Sequence, residues 1–318
     1  VLGMRQVVWI GMGILIFFGS YYIVKNIDKW REWANLYFIL SIILFLATLL
    51  FGTNKKGSTN WLAIGRFSFQ PTEIIKLLLI FLIAAYYTNY EEYKEKKYGM
   101  YYLTGAVYLF IGFLFKQKDL GTVLIFYSIF IALQFIYEEN RKLIWFNILF
   151  FIIAGIAGYF LFDHVKIRFQ IWLDPWKYID NKGYQITQSL FAIATGGFFG
   201  TGIGLGHPDF IPEVYTDFIF SAICEEMGIF TGIGVIMLFL ILVYRGFKIA
   251  ISQNDKFFRI VALGISILFG IQSFIIFGGV LKLIPLTGIT IPFVSYGGSS
   301  MLSSFIALGI LQVASEEM

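Results

Sequence analysis

One cysteine, Cys224, and two histidines are all that this 318-residue chain offers to thiol or imidazole chemistry. A single thiol excludes an intramolecular disulfide, and two histidines argue against a His-rich metal centre. Charge is scarce as well. Asp, Glu, Lys and Arg make up 14% of the chain, well below the ~25% usual in soluble domains. The net charge of +4 gives no reason to propose nucleic-acid binding. No short hydrophobic segment followed by a small-residue cleavage site opens the chain, so a cleavable signal peptide does not fit. No internal repeat suggests an inverted-repeat transporter.

What fills the chain is apolar: 58% of residues are hydrophobic, and mean hydropathy is +0.77. Apolar runs recur along the whole length, each of about twenty residues, enough to cross a ~30 Å hydrocarbon core. The fold class expected is an all-α polytopic membrane protein, one membrane domain over 1–318. Nine spans are expected, at roughly 5–25, 35–52, 71–89, 98–116, 119–137, 143–162, 217–244, 258–281 and 296–314. Basic residues set the orientation. Lys25, Lys29, Arg31, Lys94, Lys96, Lys97, Arg141, Lys142, Arg245, Lys248, Lys256 and Arg259 fall on one side, in short dense loops that read as cytoplasmic. The other twelve of the 24 basic residues fall on or near the outer side. An outer face that keeps so many cations points to an anionic ligand.

The longest stretch between spans, 163–216, is expected outside, as a large extracytoplasmic loop without clear structure. Glycines 196, 197, 200, 202, 204 and 206 are too frequent for a stable exposed helix. Its run 186–199 is apolar enough to dip into the membrane as a re-entrant or interfacial helix.

Five stretches carry polar chemistry. In HPDFIPEVYTDFIFSAICEEMG, residues 207–228, a polar loop ends at Thr216-Asp217 and a long apolar segment begins at once. Asp217 is expected at the mouth of a membrane helix, with Glu225 and Glu226 one or two turns deeper in the same run. Capping accounts for an Asp there, and so does a functional carboxylate at the water–hydrocarbon boundary. In residues 57–77, GSTNWLAIGRFSFQPTEIIKL, Pro71 suits a helix start, and Glu73 and Lys76 lie three apart on one face. They read as a local ion pair or, at membrane depth, as the lining of a cavity. In KQKDLGT, residues 116–122, Asp119 can cap the next helix while Lys116 and Lys118 hold a phosphate. In RFQIWLDP, residues 168–175, Arg168 and Asp174 form a loop salt bridge or touch a ligand. In residues 283–304, LIPLTGITIPFVSYGGSSMLSS, Pro285, Gly288 and Pro292 enforce an irregular outer segment. Gly297, Gly298, Ser299 and Ser300 then open the last helix, where small residues mean close packing or a helix N-terminus that holds an anion.

Together these stretches resemble one family. FQPTEIIKL is similar to the FQPSE-x-x-KL signature of the SEDS proteins (RodA, FtsW, SpoVE), and KQKDLGT to their QPDLGT. RFQIWLDPW with GYQITQSLFAIATGGFFGTGIG, IPEVYTDFIFSAICEEMG and IPLTGITIPFVSYGGSS resemble the remaining three signatures, in the same order. The resemblance implies ten helices, of which this sequence starts near the second, so the first is expected to be absent from it. It implies a peptidoglycan glycosyltransferase in the bacterial cytoplasmic membrane. Such an enzyme polymerises lipid II, the undecaprenyl-diphosphate-linked disaccharide peptide, on the outer face beside a class B penicillin-binding transpeptidase.

The family's essential Asp falls on Asp217, its Glu and Lys on Glu73 and Lys76, its Arg and Asp on Arg168 and Asp174, and a further Asp on Asp119. The sequence departs at Asn60 and Ser68, where the family carries basic residues. Lys118 stands for a Pro, and Tyr215 for a His. Arg66, Lys76, Lys118 and Arg168 are the cations expected near a leaving diphosphate, with Glu225, Ser295, Gly297, Gly298 and Ser299 completing the substrate side. A divalent cation could also balance the diphosphate, although no clustered acidic ligand set occurs in the sequence. Chemistry agrees with the implied role: desolvation makes Asp217 a stronger proton acceptor for a sugar hydroxyl. A lipid II flippase and a non-catalytic scaffold of the cell-wall machinery are the rival readings.

Overall fold

The structure is a computed structural model that describes residues 2–55, 58–64 and 67–316. Twelve helices and three short strands follow in order: α1 (Leu2–Lys25), α2 (Ala34–Phe51), β1 (Gly52–Lys55), β2 (Ser58–Ile64), β3 (Phe67–Phe69), α3 (Thr72–Thr88), α4 (Tyr90–Glu95), α5 (Gly99–Lys116), α6 (Leu120–Tyr137), α7 (Arg141–Leu161), α8 (Asp163–Leu173), α9 (Tyr184–Gly196), α10 (Ile219–Ser252), α11 (Lys256–Val280) and α12 (Gly298–Glu316). Among the described residues eight helices are long and apolar enough to cross a membrane. At 17 residues, α3, which falls on the expected span 71–89, is one shorter than the shortest of these. The chain is a multi-pass membrane protein.

It forms two compact units: 1–139 with 243–269 and 297–318, and 140–242 with 270–296. In the first unit α12 lies along α1. Gly13 faces the Phe305 ring and Gly309 faces the backbone of Phe17, contacts that leave no space for a Cβ and let two membrane helices approach closely. The two ends of α3 mark the two sides of this unit. Beyond its C-terminus, Asn89 donates to the Arg31 carbonyl, and Arg31 pairs with Asp255 at 3.4 Å. Lys94 pairs with Glu139 there too, at 2.7 Å. The linkers after the first, third, fifth and seventh spans thus gather at one end, the grouping read from the basic residues.

At the opposite end β1, β2 and β3 form an antiparallel sheet, with Gly52 opposite Leu62 and Leu62 opposite Phe69. This sheet adds to an otherwise all-α chain. The Ser58 hydroxyl and the Thr59 amide both donate to the Gln117 carbonyl and tie the sheet to the α5–α6 turn.

The second unit is built on Phe218, Phe220, Cys224, Phe239, Phe277 and Ile291, all buried. Two corrections belong here. The stretch 163–216 is not structureless: it holds α8 and α9, and α8 is tied down by the Trp172 indole donating to the Lys282 carbonyl at 3.0 Å. Nor is 217–244 one continuous helix. The helical ladder opens on the Phe218 carbonyl and breaks at Gly228, whose φ of 81° and ψ of 168° only glycine adopts readily. A short helical piece, 219–227, therefore precedes the longer one, 229–252. Glu225 and Glu226 lie in the short piece, before the break.

Candidate functional site

Asp217 sits one residue before the first carbonyl of the α10 ladder, in a loop shaped by its neighbours. The irregular segment 281–297 holds that loop. The Tyr296 amide donates to the Tyr215 carbonyl at 2.7 Å. The Ser295 hydroxyl donates to the Thr216 carbonyl at 2.6 Å and accepts from the Ile291 amide at 2.8 Å. Two adjacent residues thus fasten the two residues before Asp217. The same segment carries positive φ at Lys282, Gly288 and Phe293, the irregular course expected from Pro285, Gly288 and Pro292.

Arg168 reaches this segment from α8. Its Nη1 donates to the Thr287 carbonyl at 2.9 Å. A Cβ placed on Gly288, at φ 75°, would lie 3.7 Å from Asp217 Oδ2 and 3.8 Å from Arg168 Nη2. A carboxylate and a guanidinium therefore front the same bare backbone position. Asp217 is half-buried and Arg168 exposed, so both are within reach of a ligand. Asp174 is placed differently: it accepts from the Lys177 amide in the turn after α8, at 3.4 Å. Glu225 is 5% exposed, and its Oε1 accepts from the His207 amide at 3.0 Å.

The remaining expected residues belong to the other unit. Glu73 and Lys76 are buried and paired, with Lys76 Nζ 2.9 Å from both carboxylate oxygens, and the Ser303 hydroxyl donates to Glu73 Oε2 at 2.8 Å. Asp119 caps α6 by accepting from the Thr122 amide at 3.1 Å. Its other oxygen accepts from Asn60 at 2.6 Å and from Gln70 at 3.4 Å. Asn60, where a cation was expected by resemblance, thus acts as an amide donor to Asp119. Lys118 beside it is exposed and carries a positive φ of 58°.

The Ser299 hydroxyl accepts from the Gln70 amide at 3.0 Å, and Gly298 lies against the Trp9 ring with no space for a Cβ. The small residues at the α12 start are used in packing. Gly297 supplies the carbonyl that accepts from Met301. Arg66 lies outside the described residues. No three His, Cys, Asp or Glu side chains gather around a common point among the described residues.

Sequence reasoning did not single out Thr287, Trp172, Gln70 or Ser303. Each acts through a contact more than a hundred residues away in the chain, except for the Gln70–Asp119 bond, and no local pattern signals such a partner. Gly288 carried a signal, as a glycine between two prolines.

A family model described as Cell cycle protein (FtsW/RodA/SpoVE) matches residues 1–318. The chain is 36% identical to "Peptidoglycan glycosyltransferase RodA" of Mycobacterium tuberculosis, over 96% of this chain and 69% of that protein. It is 34% identical to "Stage V sporulation protein E" of Bacillus subtilis, over 96% of this chain and 85% of that protein. Among solved structures, a chain from a study of polymerization and crosslinking by a peptidoglycan synthase complex is 25% identical. Its TM-score is 0.81, over 100% of this chain and 90% of that one. The rod shape determining protein RodA of Thermus thermophilus shares the fold, with a TM-score of 0.70 at 24% identity, over 99% of this chain and 88% of that one.

Proposed function

The chain belongs to the FtsW/RodA/SpoVE family of cell cycle proteins, and from this premise we propose that it is a peptidoglycan glycosyltransferase that polymerises lipid II with Asp217 as general base. Relatives named peptidoglycan glycosyltransferase match nearly all of the chain. The observation that carries the assignment of roles is the convergence of Asp217 and Arg168 on Gly288. Glycosyl transfer from a lipid diphosphate needs a proton acceptor and a cation close together. The base frees the acceptor hydroxyl, and the cation offsets charge on the leaving diphosphate.

In the proposed reaction Asp217 takes the proton of an acceptor sugar hydroxyl. The hydroxyl oxygen forms a bond to the anomeric carbon of the donor as the bond to the diphosphate breaks. The configuration inverts in this single displacement. The electron pair leaves with the lipid diphosphate, beside Arg168. Gly288 itself adds no side chain beside the two groups.

In this reading the site works at the outer face of the bacterial cytoplasmic membrane on a lipid-linked substrate. The partner is a class B penicillin-binding transpeptidase, which crosslinks the strands. The match to a chain of a peptidoglycan synthase complex supports this pairing. Glu73 and Lys76 serve the other unit as a buried pair on α3, and Asp119 as the cap of α6.

The test is polymerisation of purified lipid II by the solubilised protein and by Asp217→Asn, with a candidate class B partner supplied. Glycan strands from the wild type and none from the variant are expected, with lipid II binding retained by both. Strand synthesis by Asp217→Asn would remove the base assignment. Binding without synthesis by either protein would favour the flippase or scaffold reading.

A further inference from the structure

Residues 183–206 contain no charged side chain, which is unusual for a segment placed in water. Its last part, the loop after α9, turns apolar side chains outward: Phe199 is 85% exposed, Ile203 80%, Leu205 72% and Phe198 67%. Among the described residues these four side chains remain largely uncovered. The backbone of this loop is treated in the opposite way. Gly197, Gly200, Gly202 and Gly204 all have positive φ. They fold the loop directly onto the break in α10, where a Cβ on Gly200 would lie 2.2 Å from the Glu226 carbonyl.

There the loop supplies what the broken helix lacks. The Thr201 and Gly202 amides donate to the Glu225 and Glu226 carbonyls at 2.9 and 3.0 Å. In return the Ile229 and Phe230 amides donate to the Gly197 and Phe198 carbonyls at 2.9 and 3.4 Å. Irregular backbone is tolerated at membrane depth only when its polar groups find partners of this kind. Here the break and the loop answer each other's need.

We propose that the loop 197–205 is a membrane insert, with Phe198, Phe199, Ile203 and Leu205 seated among the acyl chains of the bilayer. Continuity identifies the occupant. The rings of Phe198 and Phe199 each lie 5.7 Å from the ring of Phe230. Phe230 opens the long second piece of α10, whose exposed Ile233, Met237 and Leu238 belong to a membrane span. The loop extends that lipid-facing surface sideways, and it carries no charge to oppose entry into hydrocarbon. The insert also bridges the break, with two backbone bonds to the short piece of α10 and two to the long one.

The test is site-directed spin labelling in reconstituted phospholipid vesicles. Single cysteines replace Phe199, Ile203 and Leu205 in turn, with Lys182→Cys as the water-exposed reference in the same outer stretch. Cys224 is buried, and unmodified protein serves as the labelling control. Labels at the three loop positions should be relaxed by oxygen and protected from a water-soluble nickel chelate, with an oxygen-to-chelate ratio several-fold above that at residue 182. A ratio equal to the reference at Phe199 and Ile203 would place the loop in water and overturn the proposal. Protection from both reagents would show a second copy or another protein on the loop, and would overturn it too. Three independent exposed positions guard against one variant failing to fold, which size-exclusion profiles check.

Discussion

Replacing Ser295 by Ala removes one hydroxyl that serves two backbone groups. Ser295 is 3% exposed, donates to the Thr216 carbonyl at 2.6 Å and accepts from the Ile291 amide at 2.8 Å. Alanine leaves both groups enclosed without this partner, at about 1–3 kcal/mol for each unsatisfied group. The neighbouring bond from the Tyr296 amide to the Tyr215 carbonyl remains, so the loop loosens rather than detaches. Asp217 is the next residue along. A misplacement of the order of 1 Å costs about 100-fold in rate, and a partial loosening should cost roughly 10- to 100-fold. Because the hydroxyl is engaged within the protein, substrate affinity should hold.

The assay is the initial rate of lipid II polymerisation over a range of substrate concentrations. A lower kcat at unchanged KM is expected for Ser295→Ala, with most of the loss restored in Ser295→Thr. Wild-type kcat in the alanine variant would refute the positioning argument. A raised KM at constant kcat would show instead that the hydroxyl touches substrate.

Three further outcomes follow from the packing. Glu73→Ala strands the buried Lys76 ammonium and should cost about 3–5 kcal/mol, read as a lower thermal midpoint in detergent; an unchanged midpoint contradicts the burial. Gly228→Ala forces a Cβ to within 2.2 Å of the Phe198 carbonyl at a φ of 81°. The loss should exceed about 2 kcal/mol, with faster hydrogen exchange at the Ile229 and Phe230 amides, and normal exchange there would sink the account of the break. Asn60→Ala removes a 2.6 Å bond to the Asp119 carboxylate. It should destabilise the protein by about 1.5–3 kcal/mol, and Asn60→Ala combined with Asp119→Ala should cost less than the two losses added together.

Much of this protein can be read from its residues in isolation. Membrane spans follow from local composition, because roughly twenty apolar residues suffice to cross hydrocarbon wherever they occur. The grouping of basic loops on one side follows likewise, and contacts such as Arg31–Asp255 agree with it. Asp119 shows what local chemistry can predict: an Asp before an apolar run caps the helix that follows.

Tertiary structure decided the rest. Ser295 and Gly298 stand three residues apart in one motif, yet one fastens Thr216 while the other admits the Trp9 ring. Arg168 stands six residues from Asp174 and instead meets Thr287, 119 residues away. The break at Gly228 was hidden because an apolar run reads as one helix whatever its backbone does. Its hydrogen-bond partners come from the glycine-rich loop some thirty residues earlier. Composition specifies which segments leave water; hydrogen bonds between distant segments determine where the polar groups converge.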